Sequence, residues 1–211
     1  MSYIEINHVT KNFGAETILH DIHISMEQGK VYGISGNNGS GKTVLMKCIC
    51  GFLPVTSGSI RIDGKIIGTE IDFPESIGVI IETPGFLIHL SGLRNLELLA
   101  SLRGQISTEE IRRAIIRAGL NPDLKKPVAK YSLGMRQRLG IAQAIMEDPK
   151  FLILDEPFNG LDKHGAADIR ALLLELKQRG KTILLASHNS EDIRILCDRV
   201  FEIDGGRIQT Q

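Results

Sequence analysis

The sequence predicts an α/β protein with a largely parallel sheet covered on both sides. Three observations carry that expectation. A short apolar segment, Val31 to Ser35, runs through the glycine-rich stretch Gly36 to Thr43 into a helix-like segment, Val44 to Cys50. Strand-like and helix-like segments alternate again from Phe151 to Ile203, the pattern of strands joined by crossover helices. Between these parts, residues 86–150 change to helical spacing, so the middle of the chain reads as a helical block inserted into a strand-rich core.

Taken in order, Tyr3, Ile4, Ile6 and Val9 open a first strand, and Ile18, Ile22, Ile24 and Met26 alternate with polar residues in a second. Lys11-Asn12-Phe13-Gly14 between them reads as a turn carrying an aromatic ring, and His20 and His23, an odd number apart, are expected on opposite sheet faces. Pro54 to Gly58 turns the chain into a short strand, Ser59 to Ile62, that ends at a hairpin-type Asp63-Gly64. Ile77-Gly78-Val79-Ile80-Ile81 is nearly all apolar, as a strand buried on both faces would be, and runs into Glu82-Thr83-Pro84-Gly85. Leu93, Leu96, Leu99 and Leu102 then recur at helical spacing. Ser107-Thr108-Glu109-Glu110 is a capping box opening a helix with Ile111, Ala114, Ile115 and Ala118, and Ser132 precedes another with Leu139, Ala142, Gln143 and Met146. The strand Phe151 to Asp155 follows, then a helix with Ile169, Leu172, Leu173 and Leu176 on one face, the strand Thr182 to Ala186, a short helix after Ser190, and the strand Val200 to Ile203.

Composition narrows the function classes. The 211 residues are 42% hydrophobic, enough for one domain, or a domain with a subdomain, that buries roughly 70% of its unfolded surface. Lys plus Arg and Asp plus Glu number 25 each, so no long-range field favours nucleic acid or anionic lipid, and no nucleic-acid partner is expected. Three cysteines cannot close a disulfide set; Cys48 and Cys50, two apart on a helix-like segment, suit buried thiols in a reducing compartment better than metal ligands. No apolar run reaches the ~18 residues of a membrane span, and Met1-Ser2-Tyr3-Ile4-Glu5 lacks a signal-peptide plan. A cytoplasmic chain with no direct membrane insertion is expected, any membrane role coming through a partner.

Gly36-Asn37-Asn38-Gly39-Ser40-Gly41-Lys42-Thr43 fits the G-x-x-x-x-G-K-[ST] phosphate-binding pattern at every fixed position. Glycines let the backbone wrap closely around phosphate oxygens, and the free N-terminus of the following helix adds partial positive charge. Lys42 is suited to reach the terminal phosphates and the Thr43 hydroxyl to ligate Mg²⁺. The alternative is a glycine-rich turn that binds nothing; a chance match in a chain this long occurs roughly one time in a hundred. Farther on, Asp155 and Glu156 end an apolar strand, and ligands gather at the carboxyl ends of strands in parallel sheets. Asp155 is suited to hold Mg²⁺, and Glu156 to orient and deprotonate the water that attacks the terminal phosphate. Ser187-His188 directly follows another strand; a lone histidine is more often structural, but one on that sheet edge can donate to a γ-phosphate oxygen.

Tyr131-Ser132-Leu133-Gly134-Met135-Arg136-Gln137-Arg138 resembles the Leu-Ser-Gly-Gly-Gln signature of ATP-binding cassette (ABC) ATPases, and nearly the whole chain is similar to that plan in order. Phe13 stands at the adenine-stacking position, Gly36 to Thr43 with Val44 at Walker A, Glu82 at the Q-loop, Ser132 and Gly134 in the signature, Asp155 and Glu156 in Walker B, Asn159-Gly160-Leu161-Asp162 at the D-loop, and His188 at the switch histidine. The resemblance implies a P-loop NTPase (RecA-like) core with an antiparallel β subdomain, the single domain 1–211 dividing into a nucleotide-binding core, 1–85 and 151–211, and a helical subdomain, 86–150. It implies ATP and Mg²⁺ as cofactors, with Thr43, Glu82 and Asp155 at the metal, Glu156 and His188 catalytic, and Ser132 and Gly134 closing on ATP held by a second copy. Asp162 would either link the two sites or simply cap a helix. The implied partners are a second cassette, as a homodimer, and a separate integral membrane permease at the inner face of the cell membrane. For its cytoplasmic helix, Phe86, Leu87, Ile88 and Leu90 are candidates, core burial being the alternative.

Three residues depart from the family pattern: Glu82 replaces the usual glutamine, Leu133 the first signature glycine, and Met135 the signature glutamine. Glu82 with a Ser-Leu-Gly-Met signature is similar to the cassettes of bacitracin- and lantibiotic-type peptide exporters and immunity transporters, which favours export. A bare carboxylate ~4 Å from phosphate charge interacts by roughly 4 kcal/mol at an effective dielectric of 20, so turnover is expected to fall unless Glu82 is neutralised. The rival readings are a soluble cassette acting on nucleic acid or ribosomes, and a regulatory cassette that hydrolyses weakly.

Overall fold

Ser2–Phe13 (β1) and Glu16–Glu27 (β2) form a long antiparallel hairpin in a computed structural model of the chain, which describes residues 2–209. Positions 1, 210 and 211, at the ends of the expected domain and at the start of the segment compared with signal peptides, lie outside the described residues. β1 continues through Lys11 to Phe13, so the chain reverses at Gly14 and Ala15, later than the turn residues alone suggested. His8 and Asp21 both take left-handed backbone, at φ 51 and φ 52, where the strand register slips. An irregularity of this kind changes the phase of the alternation. Leu19 rather than Ile18 is therefore buried beside Ile22, and His20 and His23 fall on the same face instead of opposite ones.

Ser57–Ile62 (β4) and Lys65–Ile66 (β5) complete a four-stranded antiparallel sheet in the order β2-β1-β4-β5; β3 belongs to the second sheet. Between β4 and β5, Asp63 (φ 49) and Gly64 (φ 80) both have positive φ, as a type I′ hairpin requires. The second sheet has six strands: Val31–Ser35 (β3), Ile77–Ile80 (β6), Phe151–Asp155 (β7), Thr182–Ala186 (β8), Arg199–Asp204 (β9) and Arg207–Gln209 (β10). Their order is β10-β9-β3-β8-β7-β6, parallel throughout except for β10.

Both faces of this sheet are covered, which explains its unbroken apolar runs. Phe151 and Ile153 of β7 point into a core shared with β1, β2 and the helix Lys42–Ile49 (α1); Leu152 and Leu154 point into the opposite core, against Ile169, Leu172, Leu173 and Leu176 of Lys163–Gln178 (α5). Each fully buried side chain of this size contributes about 1.5–3 kcal/mol.

The helical block consists of Gly92–Ser101 (α2), Thr108–Arg117 (α3) and Leu133–Ile145 (α4), and the short helix Ser190–Leu196 (α6) follows β8. Ser107 and Glu110 form the expected capping box on α3. The leucine spacing on α2 behaves differently from expectation: Leu96 is buried, whereas Leu99 is 36% and Leu102 82% exposed. Each three-residue step falls about 60° short of a full turn, so the leucines wind away from the core while Asn95 and Ala100 face it. α4 lies against β6 so closely that a Cβ on Gly78 would run into the Ala144 carbonyl, which ties the helical block to the sheet. Because β3, β8 and β7 are neighbours, the segments leaving their carboxyl ends emerge side by side.

Candidate functional site

The loop between β3 and α1 is shaped by its glycines. Gly36 has φ 150, and a Cβ there would meet the Ile203 carbonyl of β9 and, at 2.8 Å, the Ser40 hydroxyl oxygen. Gly41 has φ 106 and is the N-cap of α1; no side chain caps the helix, and its first turn carries no acidic residue. The first amides of α1 are thus left for a ligand, at the end of the helix dipole that attracts anions. Lys42 is buried and donates to the carbonyls of Gly36 at 2.7 Å and Asn37 at 2.9 Å, curling the loop around its own ammonium. The buried Ser40 Oγ has no hydrogen-bond partner in the protein.

Thr43 Oγ1 donates to Asp155 Oδ2 at 2.8 Å, joining α1 to the end of β7 across the sheet edge. A hydroxyl beside a carboxylate is a hard-oxygen donor pair, and Mg²⁺ held by phosphates and water needs only one or two such protein ligands. Among the described residues no cluster of three or more His, Cys, Asp and Glu could hold a metal ion alone, so this pair fits a shared Mg²⁺ better than a protein-only cage.

Glu156 follows with left-handed backbone, φ 49. Its amide donates to the Ala186 carbonyl of β8 at 3.0 Å, and its carbonyl accepts from Gln137 Nε2 of α4 at 3.2 Å. These bonds anchor the residue between sheet and helical block. His188 Nε2 lies 3.2 Å from Glu156 Oε1, and the His188 amide donates to Oε2 at 3.4 Å. The Oε1 contact has ion-pair distance without hydrogen-bond alignment, so this buried oxygen keeps its accepting capacity. Burial pushes the Glu156 carboxyl above its usual pKa; the charge of His188 and its amide oppose the rise, Asp155 adds to it, and Lys42 opposes it.

One cleft of about 580 Å³ unites these groups. Phe13, 47% exposed with the Lys11 ammonium 4.9 Å from its ring centroid, lines one end together with Ile18. Asn38, Gly39, Gly41, Lys42, Thr43 and Val44 of the glycine-rich loop and α1 line the cleft as well, as do Glu82, Asp155, Glu156 and His188. Gly36, Asn37 and Ser40 stand in the same loop but do not line the cleft. Ser132 and Gly134 do not line it either: Ser132 is exposed and caps α4 by accepting from the Met135 amide at 3.2 Å, and Gly134 packs toward the Gly160 carbonyl. Asp162 caps α5, accepting from the Gly165 amide at 2.8 Å.

Two residues, Gln137 and Lys47, were given no role from sequence, and Leu133, noted there only as a departure from the signature, has a place in the cleft. Gln137 holds Glu156 and was read only as part of a motif; its inward place on α4 gave no polar pattern to notice. Leu133, half exposed, lines the cleft and packs on Gly160. Lys47 pairs with Glu82 at 2.8 Å; its spacing of four from Thr43 on one helix was the available signal. Of the apolar group after Glu82, Leu87 and Ile88 are 48% and 64% exposed, whereas Phe86 packs on the core. Among the described residues no helix is long and apolar enough to cross a membrane.

The ABC transporter family matches residues 19–159, well over half of the chain. The chain is 42% identical to YybJ of Bacillus subtilis, an uncharacterized ABC transporter ATP-binding protein, over 98% of this chain and 95% of that one. It is 41% identical to the bacitracin transport ATP-binding protein BcrA of Enterococcus faecalis, over 97% of this chain and 67% of that one. Identity to the lantibiotic transport ATP-binding protein SrtF of Streptococcus pyogenes is 38%, over 97% and 88% of the two chains. Among solved structures, a dimeric bacterial ABC transporter cassette shares the fold with a TM-score of 0.89 at 24% identity, covering 98% of this chain and 97% of that one. The chain belongs to the ABC transporter family, as one of its ATP-binding, ATP-hydrolysing subunits.

Proposed function

We propose that this cassette hydrolyses ATP between two copies of itself and thereby drives a separate integral membrane permease that exports peptide or antibiotic-like cargo. The observation that carries the reading is the convergence of Thr43, Asp155, Glu156 and His188 on one sheet edge, the first two joined at 2.8 Å and the last two within 3.2 Å. Phe13 and Val44 receive the base and sugar end. The loop amides from Gly36 to Gly41, with Lys42, bind the phosphates. Thr43 and Asp155, with Glu82 as an additional oxygen donor, would hold Mg²⁺, which would supply charge neutralisation at the terminal phosphates.

Glu156 orients a water and takes its proton as the water oxygen bonds to the γ-phosphorus. The bond from that phosphorus to the β-γ bridging oxygen breaks, leaving ADP and phosphate. The raised pKa of Glu156 makes it a better proton acceptor than an ordinary surface carboxylate. His188 donates to the γ-phosphate and steadies Glu156. Ser132 and the Gly134 amide add a second set of anion-binding groups for ATP on the partner copy, so ATP closes the pair and hydrolysis opens it.

Residues 86–150 act as a helical subdomain on the nucleotide-binding core of 1–85 and 151–211. Leu87 and Ile88 face the permease, which holds the chain at the inner face of the cell membrane. The relatives named for bacitracin and lantibiotic transport support the class of cargo. The Lys47 ion pair, which neutralises Glu82, favours an active cassette over a weakly hydrolysing regulatory one.

Glu156→Gln tests the reading. Phosphate release is expected to fall by about 10²–10⁴-fold, and with Mg-ATP the variant is expected to elute as a dimer on gel filtration. Undiminished release, or a variant that stays monomeric with Mg-ATP and permease present, overturns it.

A further inference from the structure

Lys47 lies four residues after Thr43 on α1, so their side chains share one helix face a turn apart. Each of these turns holds a carboxylate from the sheet edge. Thr43 Oγ1 donates to Asp155, and Lys47 Nζ donates to Glu82 Oε1, both at 2.8 Å. Adjacent strands supply the two acids: Ile80 of β6 pairs with Leu154 of β7, so Ile81 stands level with Asp155 and Glu82 one residue beyond. The Lys47 side chain is 27% exposed and that of Glu82 65%, so the ammonium is the sheltered partner and the carboxylate the one that opens on the cleft.

We propose that Lys47 is a positioning residue that keeps Glu82 as an exchangeable ligand, competing with Mg²⁺ for the same carboxylate and cancelling its charge when nucleotide is bound without metal. The inference rests on Thr43 and Asp155 being the Mg²⁺ site. A carboxylate in this cleft has two cationic partners available, and one oxygen set cannot serve both fully. With Lys47 present, Mg²⁺ must displace an ammonium to gain Glu82. Without Lys47, Glu82 is free for the metal but repels bare phosphate. Lys47 therefore makes nucleotide binding less dependent on Mg²⁺ than a lone glutamate at this position would.

The test is a double-mutant cycle read by nucleotide binding. The affinity of the purified protein for a fluorescent, non-hydrolysable ATP analogue is measured in saturating Mg²⁺ and in EDTA, and the ratio of the two affinities is compared among Lys47→Met, Glu82→Gln, the double variant and the parent. Lys47→Met is expected to raise the ratio about three- to tenfold, allowing for solvent screening, and to leave it unchanged in the Glu82→Gln background. Lys47→Arg, which keeps the cation, is expected to restore the parent ratio. An equal change in both backgrounds, or none in either, overturns the role of Lys47. If the parent itself fails to bind the analogue with Mg²⁺, the assignment of the nucleotide site falls instead.

Discussion

The two regions that meet in this cleft are built to different degrees of completion. On the core side the groups that carry the chemistry are held in place: Lys42 by two loop carbonyls, Thr43 by Asp155, Glu156 by β8 and by His188. In the helical block, Ser132 is exposed, its side chain caps its own helix, and it stands outside the cleft with Gly134. A phosphate loop binds by local backbone geometry and needs no second molecule. Ser132 and Gly134 are absent from the cleft lining although Leu133 between them is part of it, which agrees with the proposal that they serve a site on another copy. Binding and hydrolysis should accordingly be separable.

The widest separation is expected between Lys42→Ala and Gly134→Asp. Lys42→Ala removes the buried ammonium and should weaken nucleotide binding by about 10- to 100-fold, as loss of charged hydrogen bonds does. A Cβ at Gly134 would come within 2.7 Å of the Gly160 carbonyl, so any side chain there displaces the signature segment. Gly134→Asp should leave binding to the single cassette intact in an equilibrium titration while phosphate release drops by about 10²-fold. Equal loss of binding in both variants would break the comparison.

A smaller effect concerns the framework behind His188. Asp192 is 1% exposed and held by Arg170 Nε at 2.6 Å, bridging α5 and α6 just behind the Ser187-His188 turn. Arg170→Met leaves that carboxylate buried and unpaired, which should cost about 3–5 kcal/mol in urea denaturation. If the loss is under about 1 kcal/mol, as for an exposed pair, the bridge is not a structural tie.

The smallest is a pH effect on stability. Glu156 has a folded pKa raised above the ordinary 4.5, chiefly by burial, so the folded state holds its proton more tightly than the unfolded one. Its contribution is fully present below the unfolded pKa and is lost as pH rises through the folded value. Glu156→Gln should therefore melt slightly higher than the parent at neutral pH, and the gap should close below pH ~4.5. A variant that melts lower than the parent at neutral pH, with the deficit vanishing below pH ~4.5, would show the carboxylate to be stabilised by His188 rather than penalised by burial.

Legibility from sequence followed the range of the interaction. The loop Gly36 to Thr43, the capping box at Ser107 and the Asp63-Gly64 turn were readable because each is made by neighbours in the chain. Phe151 to Asp155 was readable as a buried strand because apolar runs of that kind occur where both faces are covered. The phase change at Asp21 left no mark, since a bulge depends on which strand lies opposite. Leu102 was misleading because a three-residue spacing resembles a helical face until the accumulated twist carries it into solvent. The Gln137 bond to Glu156 left no local mark and the Lys47 pair with Glu82 only the helix spacing of Lys47 from Thr43, as each partner is supplied by a different element.

What the order of residues determined by itself is the glycine-rich loop, the identity of the acids at the end of β7, and the division into strand-rich and helical parts, because short-range backbone preferences and hydrophobic periodicity suffice for these. Only the folded chain decided that β3, β8 and β7 stand side by side, which brings Thr43 within 2.8 Å of Asp155 and His188 within 3.2 Å of Glu156. It also decided that Glu82 meets a lysine and that Ser132 and Gly134 stand outside the cleft that Leu133 lines. Those outcomes depend on strand order and helix docking, set by the burial of two cores on opposite faces of one sheet, and no local pattern encodes which strand becomes whose neighbour.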